Sequence, residues 1–406
     1  MSQILDSRYS WSRAALSLGI SAVGNVGLWS IIALMPAVQA EFGGSRGGAS
    51  LPYTLTMLGF ALGNVVMGRM VDRFGIARAM AGAGVLCALG YGLAAFSPSL
   101  TLLALAQFVI GLGTAVFFGP LVADVSLWFR QRRGIAVAIV ASGNYLAGAI
   151  WPVALSGVLE SQGWRAVCLV LAVLVPVVVI PGAQLLRRRV PAASMTAAAQ
   201  STGRRMARAP FSPPVLMWVL ALAGVACCVA MSMPQVHLVS FCVDLGFGPA
   251  VGAEMLGLLL IGGVISRLLS GLLTDRLGGV PTLLIGSIGQ MIGLILYLPA
   301  DGLVSLYLVS LIFGLSQGGI VPAYAIIVRE TMPPDEAGAR VGFVIMATIL
   351  GMALGGWMSG WIYDVTGSYT MAFVNGIGWN LLNIALIVLI VMRGRAGRNP
   401  GALAAV

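Results

Sequence analysis

One arginine raises the first chemical question in this chain. Residues 258–271 read LLLIGGVISRLLSG, apolar almost throughout, with Arg267 standing in the run. An apolar run of about 20 residues is long enough to cross a bilayer, so this guanidinium lies near the depth of the hydrocarbon. Even on the lenient insertion scale an ionised side chain there costs roughly 2.5–3.5 kcal/mol. Such a group faces a bundle interior or a water-filled cavity and needs an anionic or dipolar partner. The 13 acidic residues offer none at mid-span. Asp6, Glu41, Asp72, Asp124, Glu160, Asp244, Glu254, Asp275, Asp301, Glu330, Asp335, Glu336 and Asp364 all fall in loops or near the ends of apolar runs. The counter-charge is therefore expected to arrive as cargo. The alternative is an Arg satisfied by backbone carbonyls.

A second set of charges is duplicated. Gly68-Arg69-Met70-Val71-Asp72-Arg73-Phe74-Gly75 and Gly271-Leu272-Leu273-Thr274-Asp275-Arg276-Leu277-Gly278 both read GxxxDRxG, about half the chain apart. Gly111 and Gly314, and Gly163 and Gly367, recur at nearly the same offset. Two copies at one period are much stronger evidence than one motif. Small residues let helices approach closely, Asp accepts from helix N-termini or an Arg, and Arg binds carboxylates.

Membrane helices must position these groups. The chain has 406 residues, 59% hydrophobic and 9% charged, with mean hydropathy +0.98. A soluble protein cannot hide that much apolar surface. Apolar runs fall at about 14–38, 50–70, 76–96, 100–123, 134–156, 165–186, 214–240, 250–273, 281–299, 303–328, 340–363 and 370–392. Backbone groups in lipid must be satisfied within the segment, so each run reads as a helix. The expected fold class is an all-α membrane protein of twelve transmembrane helices in two six-helix pseudo-repeats. All 23 basic residues are Arg. Twenty fall on the side of the two termini, Arg46 and Arg165 on the other, and Arg267 within a span. The positive-inside rule then puts both termini in the cytoplasm. A basic break rich in Ser, Ala and Pro, residues 187–213, has linker composition. It separates a bundle over 1–186 from one over 214–406. The net charge of +10 is thus a topology signal and implies no nucleic acid. Five Cys inside or beside apolar runs read as packing residues. No metal or cofactor spacing is present.

The repeated loop carries a family resemblance. Gly68-x-x-x-Asp72-Arg73-x-Gly75-x-x-Arg78 resembles the loop 2–3 signature of the major facilitator superfamily, and the likeness covers the whole chain. It implies that Gly68, Asp72, Arg73, Arg78, Asp275 and Arg276 latch the cytoplasmic helix ends, with Asp124 as a partner. Parallel six-helix repeats imply rocking of two halves around a midplane site. Trp128-Phe129-Arg130-Gln131-Arg132-Arg133-Gly134, followed by Ser142-Gly143-Asn144, looks like the fifth-span signature of monocarboxylate transporters and their bacterial relatives, including oxalate–formate exchangers. Arg133 belongs to that motif and joins the gating set. The seventh-span end, His237-Leu238-Val239 with Asp244-Leu245-Gly246, is similar to the same group. By position, Arg267 matches that group's substrate-carboxylate Arg. The resemblance implies a monomer in a bacterial inner membrane, with a small organic anion as partner and a proton as its co-substrate or not.

Two departures narrow the cargo. Span one has no basic residue, and Gly263 stands one turn before Arg267 where the eukaryotic branch has Asp. Span eleven lacks the second cation of the oxalate–formate branch. One cation favours one carboxylate per substrate, because a second buried carboxylate would lack its counter-charge. His237 has an unperturbed pKa near 6.5 and is a candidate proton relay, or else an interfacial residue bonded to a neighbour. In the superfamily, spans one, four, seven and ten line the cavity, assisted by two, five, eight and eleven. The polar and aromatic candidates there are Asn25, Trp29, Tyr53, Phe117, Phe118, Asn144, Tyr145, Gln317 and Tyr324. A Tyr hydroxyl can donate to a carboxylate beside Arg267, and Tyr324 is the preferred candidate. Each aromatic can equally be packing, and each Asn a bond between helices.

The expected function is secondary transport of small monocarboxylates or related organic anions by symport or exchange. Export of drug-like amphipathic compounds and a non-transporting receptor are the alternatives. One His, no metal spacing and no nucleophile–base set argue against an enzyme, and no GxxxxGK[ST] points to a nucleotide site.

Overall fold

A computed structural model describes residues 5–129, 132–188, 211–332 and 334–396, excluding the side chains of 133, 334–339 and 394–396. Twelve described helices are long and apolar enough to cross a membrane. Spans one to six are Arg8–Phe42, Arg46–Phe74, Ile76–Ala95, Leu100–Ser126, Gly134–Ala154 and Ser156–Leu185. Spans seven to twelve are Pro213–Asp244, Pro249–Leu277, Gly279–Tyr297, Leu303–Thr331, Arg340–Thr366 and Thr370–Arg393. Most of the 187–213 segment lies outside the described residues.

The two halves repeat each other in packing. Span two packs on four as eight does on ten, three on six as nine on twelve, and one on five as seven on eleven. Between halves the main contacts are two with eleven and five with eight. That pair of contacts is exchanged onto itself when the halves are swapped, as parallel repeats require. Local structure follows the sequence repeat. Gly75 (φ +85°) ends span two, and Gly278 (φ +87°) ends span eight. Only Gly adopts that backbone without strain, so the last Gly of each GxxxDRxG copy is a helix stop.

Three spans are broken near their middles. Span one breaks at Asn25, span four through a 3-10 turn at Ala115–Phe117, and span ten at Gly318–Gly319. The last two breaks fall at repeat-equivalent positions. Broken helices free backbone carbonyls at membrane depth, where only a protein-lined site can satisfy them.

The first helix starts earlier than hydropathy predicts. It begins at Arg8, with the Ser7 hydroxyl accepting from Ser10 N, and it buries Arg13. The expectation of a first span without basic residues is corrected accordingly. Arg13 is tolerated because it donates to Asp124 Oδ2 at 2.7 Å and stands over the Trp128 ring at 4.6 Å.

Candidate functional site

Arg267 is 6% exposed and lies between the halves. Its Nη1 donates to Ala141 O of span five at 2.6 Å, and its Nε donates to Gly318 O of span ten at 3.2 Å. Its guanidinium carbon sits 4.2 Å from the Tyr145 ring centroid. Sequence explains one of these acceptors. In a helix Gly318 O would receive the N–H four residues on, but that residue is Pro322, which has none. The freed carbonyl turns to Arg267. Gly318 also has no room for a side chain, because a Cβ there would stand 2.8 Å from Arg267 N and closer still to Gly263 O. Among the described residues, no carboxylate forms a salt bridge with Arg267.

Trp29 and Asn144 join Tyr145, the ring that lies against this cation. Trp29 Nε1 donates to Asn144 Oδ1 at 2.8 Å, and the Trp29 and Tyr145 ring centroids are 6.4 Å apart. Gly263 admits the Tyr145 ring, since a Cβ there would be 3.0 Å from it. We expect Tyr145→Phe to keep uptake within about threefold of native, because the ring face is retained. Tyr145→Ala should raise KM about tenfold, the worth of a desolvated cation–π contact. Concentration-dependent uptake by the two variants checks the contrast.

Other sequence candidates are held elsewhere. Asn25 Nδ2 bonds Ser21 O and Phe117 O, at 2.9 and 3.1 Å, and ties span one to span four. The Phe117 ring fills the space at Gly24, and Phe118 packs against Phe60 at 6.2 Å. Tyr324 Oη donates to Asn383 Oδ1 at 2.8 Å, inside the second half, rather than to an anion beside Arg267. Gln317 is more suggestive. Its amide pairs with that of Gln235 at 2.7 Å, and one further polar atom of each, Gln317 Nε2 and Gln235 Oε1, is buried without a partner among the described residues. It directly precedes Gly318.

The two ends of the bundle differ. At the end away from the termini the halves are locked. Asp364 accepts from the backbone N–H of Arg46 and Gly47, at 2.5 and 2.7 Å. The Arg46 guanidinium is ion-paired with Asp244 and lies over the Tyr363 ring at 5.1 Å. Tyr53 packs into Gly356, where a Cβ would be 2.8 Å from the ring. His237 is at this end too. Its Nε2 meets Gly356 O at 2.7 Å, and because a carbonyl only accepts, Nε2 carries the proton. Nδ1 then accepts from Tyr369 Oη at 3.1 Å. Burial pushes the Tyr369 hydroxyl above its ordinary pKa, so it stays a donor.

At the terminal end the repeated motifs are free. Asp72, Arg73, Arg78, Asp275 and Arg276 are exposed, and among the described residues none forms an ion pair. A Cβ at Gly68 or Gly271 would meet nothing within 4 Å. Asp124 is engaged by Arg13 of its own half and not by a latch Arg. Arg130 lies outside the described residues, as does the side chain of Arg133. Arg267 thus sits where contact between spans five and eight gives out, one turn past tight Gly263 and one turn before open Gly271.

Sequence reasoning missed the Arg46–Asp244–Asp364 lock. A signal was present: Arg46 and Arg165 are the two Arg that the sequence reading sets apart from the terminal side, and each is paired, Arg46 with Asp244 and Arg165 with Glu41. We expect Arg46→Ala to raise labelling of Cys242, buried at the locked end, by a membrane-impermeant maleimide about tenfold. One or two lost charge-assisted bonds suffice for that shift. Cys242→Ser in the same background should abolish the added signal.

Comparison with known proteins agrees with this architecture. The family model described as Major Facilitator Superfamily matches residues 16–338 and 243–404. Bovine (Bos taurus) monocarboxylate transporter 13 is 29% identical over 315 residues, covering 77% of this chain and 73% of that protein. Human (Homo sapiens) monocarboxylate transporter 11 is 27% identical over 393 residues, covering 91% and 80%. The agnestins efflux protein AgnL12 of Paecilomyces divaricatus is 24% identical, covering 71% and 65%. A bacterial homologue of the human lysosomal transporter Spinster, solved inward-facing and occupied, superposes with TM-score 0.69 at 14% identity over 95% of each chain.

Proposed function

This chain belongs to the Major Facilitator Superfamily, and from that membership we propose a transporter that moves small monocarboxylates by alternating access around Arg267. The observation that carries the cargo class is this buried cation, which meets carbonyl dipoles and Tyr145 but no carboxylate among the described residues. Carbonyl dipoles are weaker partners than a carboxylate. An incoming carboxylate can take the Nη1 donor from Ala141 O. One cation suits one carboxylate.

The same geometry supports a coupling step. Ala141 belongs to the first half and Gly318 to the second, so Arg267 bonds the halves together. Cargo that displaces Ala141 O trades an inter-half bond for a ligand bond. Binding then changes the energy of rocking, as an alternating-access cycle requires. With the termini cytoplasmic, as the Arg distribution indicates, the locked end is external and the conformation is inward-open. Asp72, Arg73, Asp275 and Arg276 would engage when the halves rock the other way.

Uptake of a labelled monocarboxylate panel into proteoliposomes tests the reading. Saturable uptake by native protein, competed by unlabelled monocarboxylates, is the expected result. Stimulation by an imposed pH gradient gives symport, and acceleration by internal substrate gives exchange. Transport of neutral amphipathic compounds in place of acids would replace this reading with export, the activity named for one relative.

A further inference from the structure

A cavity of about 590 Å³ opens on the outer surface of the second half between spans eight, nine and ten. Ser266, the residue before Arg267, lines it, but Arg267 and Tyr145 do not. Its rim is made of exposed Leu269, Ile285, Ile292 and Leu315. Such residues on a membrane helix face lipid. Gly286, Gly289 and Ser316 form a floor of small residues. The wall hydroxyls of Thr282 and Ser316 donate to Gly278 O and Phe313 O, at 2.9 and 2.7 Å, and Ser266 and Ser270 are the other hydroxyls in an otherwise largely apolar lining. One charged group lines the cleft, Arg276, at its terminal-side end. The nearby Glu330 carboxylate accepts from Gly279 N at 3.2 Å at the start of span nine.

The dimensions match one leaflet. The lining on span nine runs from Thr282 to Ile292, about 15 Å at 1.5 Å per residue. That is half of the roughly 30 Å hydrocarbon core. An apolar trough one leaflet deep, with a guanidinium at headgroup level, has the form of a phospholipid site. We propose that this cleft holds an acyl chain of an anionic phospholipid from the terminal-side leaflet, with its phosphate on Arg276. The occupant is a lipid and not the transported acid, so the proposal goes beyond the transport reading. A single Arg near an anionic headgroup is worth about 1 kcal/mol, or roughly fivefold in preference.

The experiment uses full-length protein in phosphatidylcholine nanodiscs carrying a trace of phosphatidylglycerol with a diazirine on one acyl chain. After illumination, labelled peptides are mapped by mass spectrometry. The expected result is labelling of 269–273 and 285–292, competed about fivefold better by unlabelled phosphatidylglycerol than by phosphatidylcholine. Arg276→Gln should bring the two competitors level, while Leu315→Trp, on the lipid-facing rim, should cut cleft labelling at least fivefold. Equal competition in native protein, an unchanged preference in Arg276→Gln, or labelling that avoids these peptides overturns the proposal.

Discussion

Arg267→Ala is expected to lower monocarboxylate uptake roughly 100-fold or more. The loss is that of a charge-assisted carboxylate pair in a dry site, about 3 kcal/mol, with tenfold for each 1.4 kcal/mol. Arg267→Lys keeps the charge but not the fork. A single ammonium has no fixed pair of donors directed at Ala141 O and Gly318 O, which lie on different helices. We expect it to retain no more than about a tenth of native uptake. Truncation also leaves Gly318 O without a donor, since Pro322 has none to give, at a cost of about 1–3 kcal/mol. Monodisperse elution of each variant, checked before reconstitution, separates loss of function from loss of fold. Native uptake by folded Arg267→Ala would remove the cation from the mechanism.

Gly318→Ala is expected to be nearly as damaging, though the change is one methyl. The new Cβ would meet Arg267 N at 2.8 Å and press on the Gly263 carbonyl and the Ser266 side chain. These are mostly backbone contacts that no rotamer change relieves. Span ten must move off span eight, at about 1–3 kcal/mol of overpacking, and the Gly318 carbonyl moves with it. Uptake should fall at least tenfold, with a lowered Tm. Gly92→Ala is the control, because a Cβ there would meet nothing within 4 Å. It should leave Tm and uptake near native. Equal behaviour of the two variants would mean that the span eight–ten contact does not hold the site.

Much of this was legible in the residue types. Twelve apolar runs and the duplicated GxxxDRxG are properties of composition and period, and both emerge as helices and helix stops. Arg267 was legible because a charge at that depth demands a reason. Its acceptors were not, because Ala141 and Gly318 contribute backbone oxygens that residue identity does not display. Pro322 alone hinted at a free carbonyl four residues earlier. The direction of Tyr324 is hidden for a related reason. It lies beyond the Gly318–Gly319 break, where helical periodicity no longer predicts direction, and its hydroxyl meets Asn383. The Arg13–Asp124 pair is hidden because hydropathy starts the first helix one residue after Arg13. The Arg46 lock joins residues about 200 and 300 positions apart, a pairing that no local pattern encodes.

The central claim is that one carboxylate of the cargo pairs with Arg267, and substrate chemistry tests it without altering the protein. Native protein in proteoliposomes should be given 2-hydroxypropanoate, its neutral amide and a dicarboxylate of similar size, each as a competitor of labelled 2-hydroxypropanoate uptake. The account predicts strong competition by the monocarboxylate, at least tenfold weaker competition by the amide, and weak competition by the dianion. Competition by the amide equal to that of the acid would contradict it.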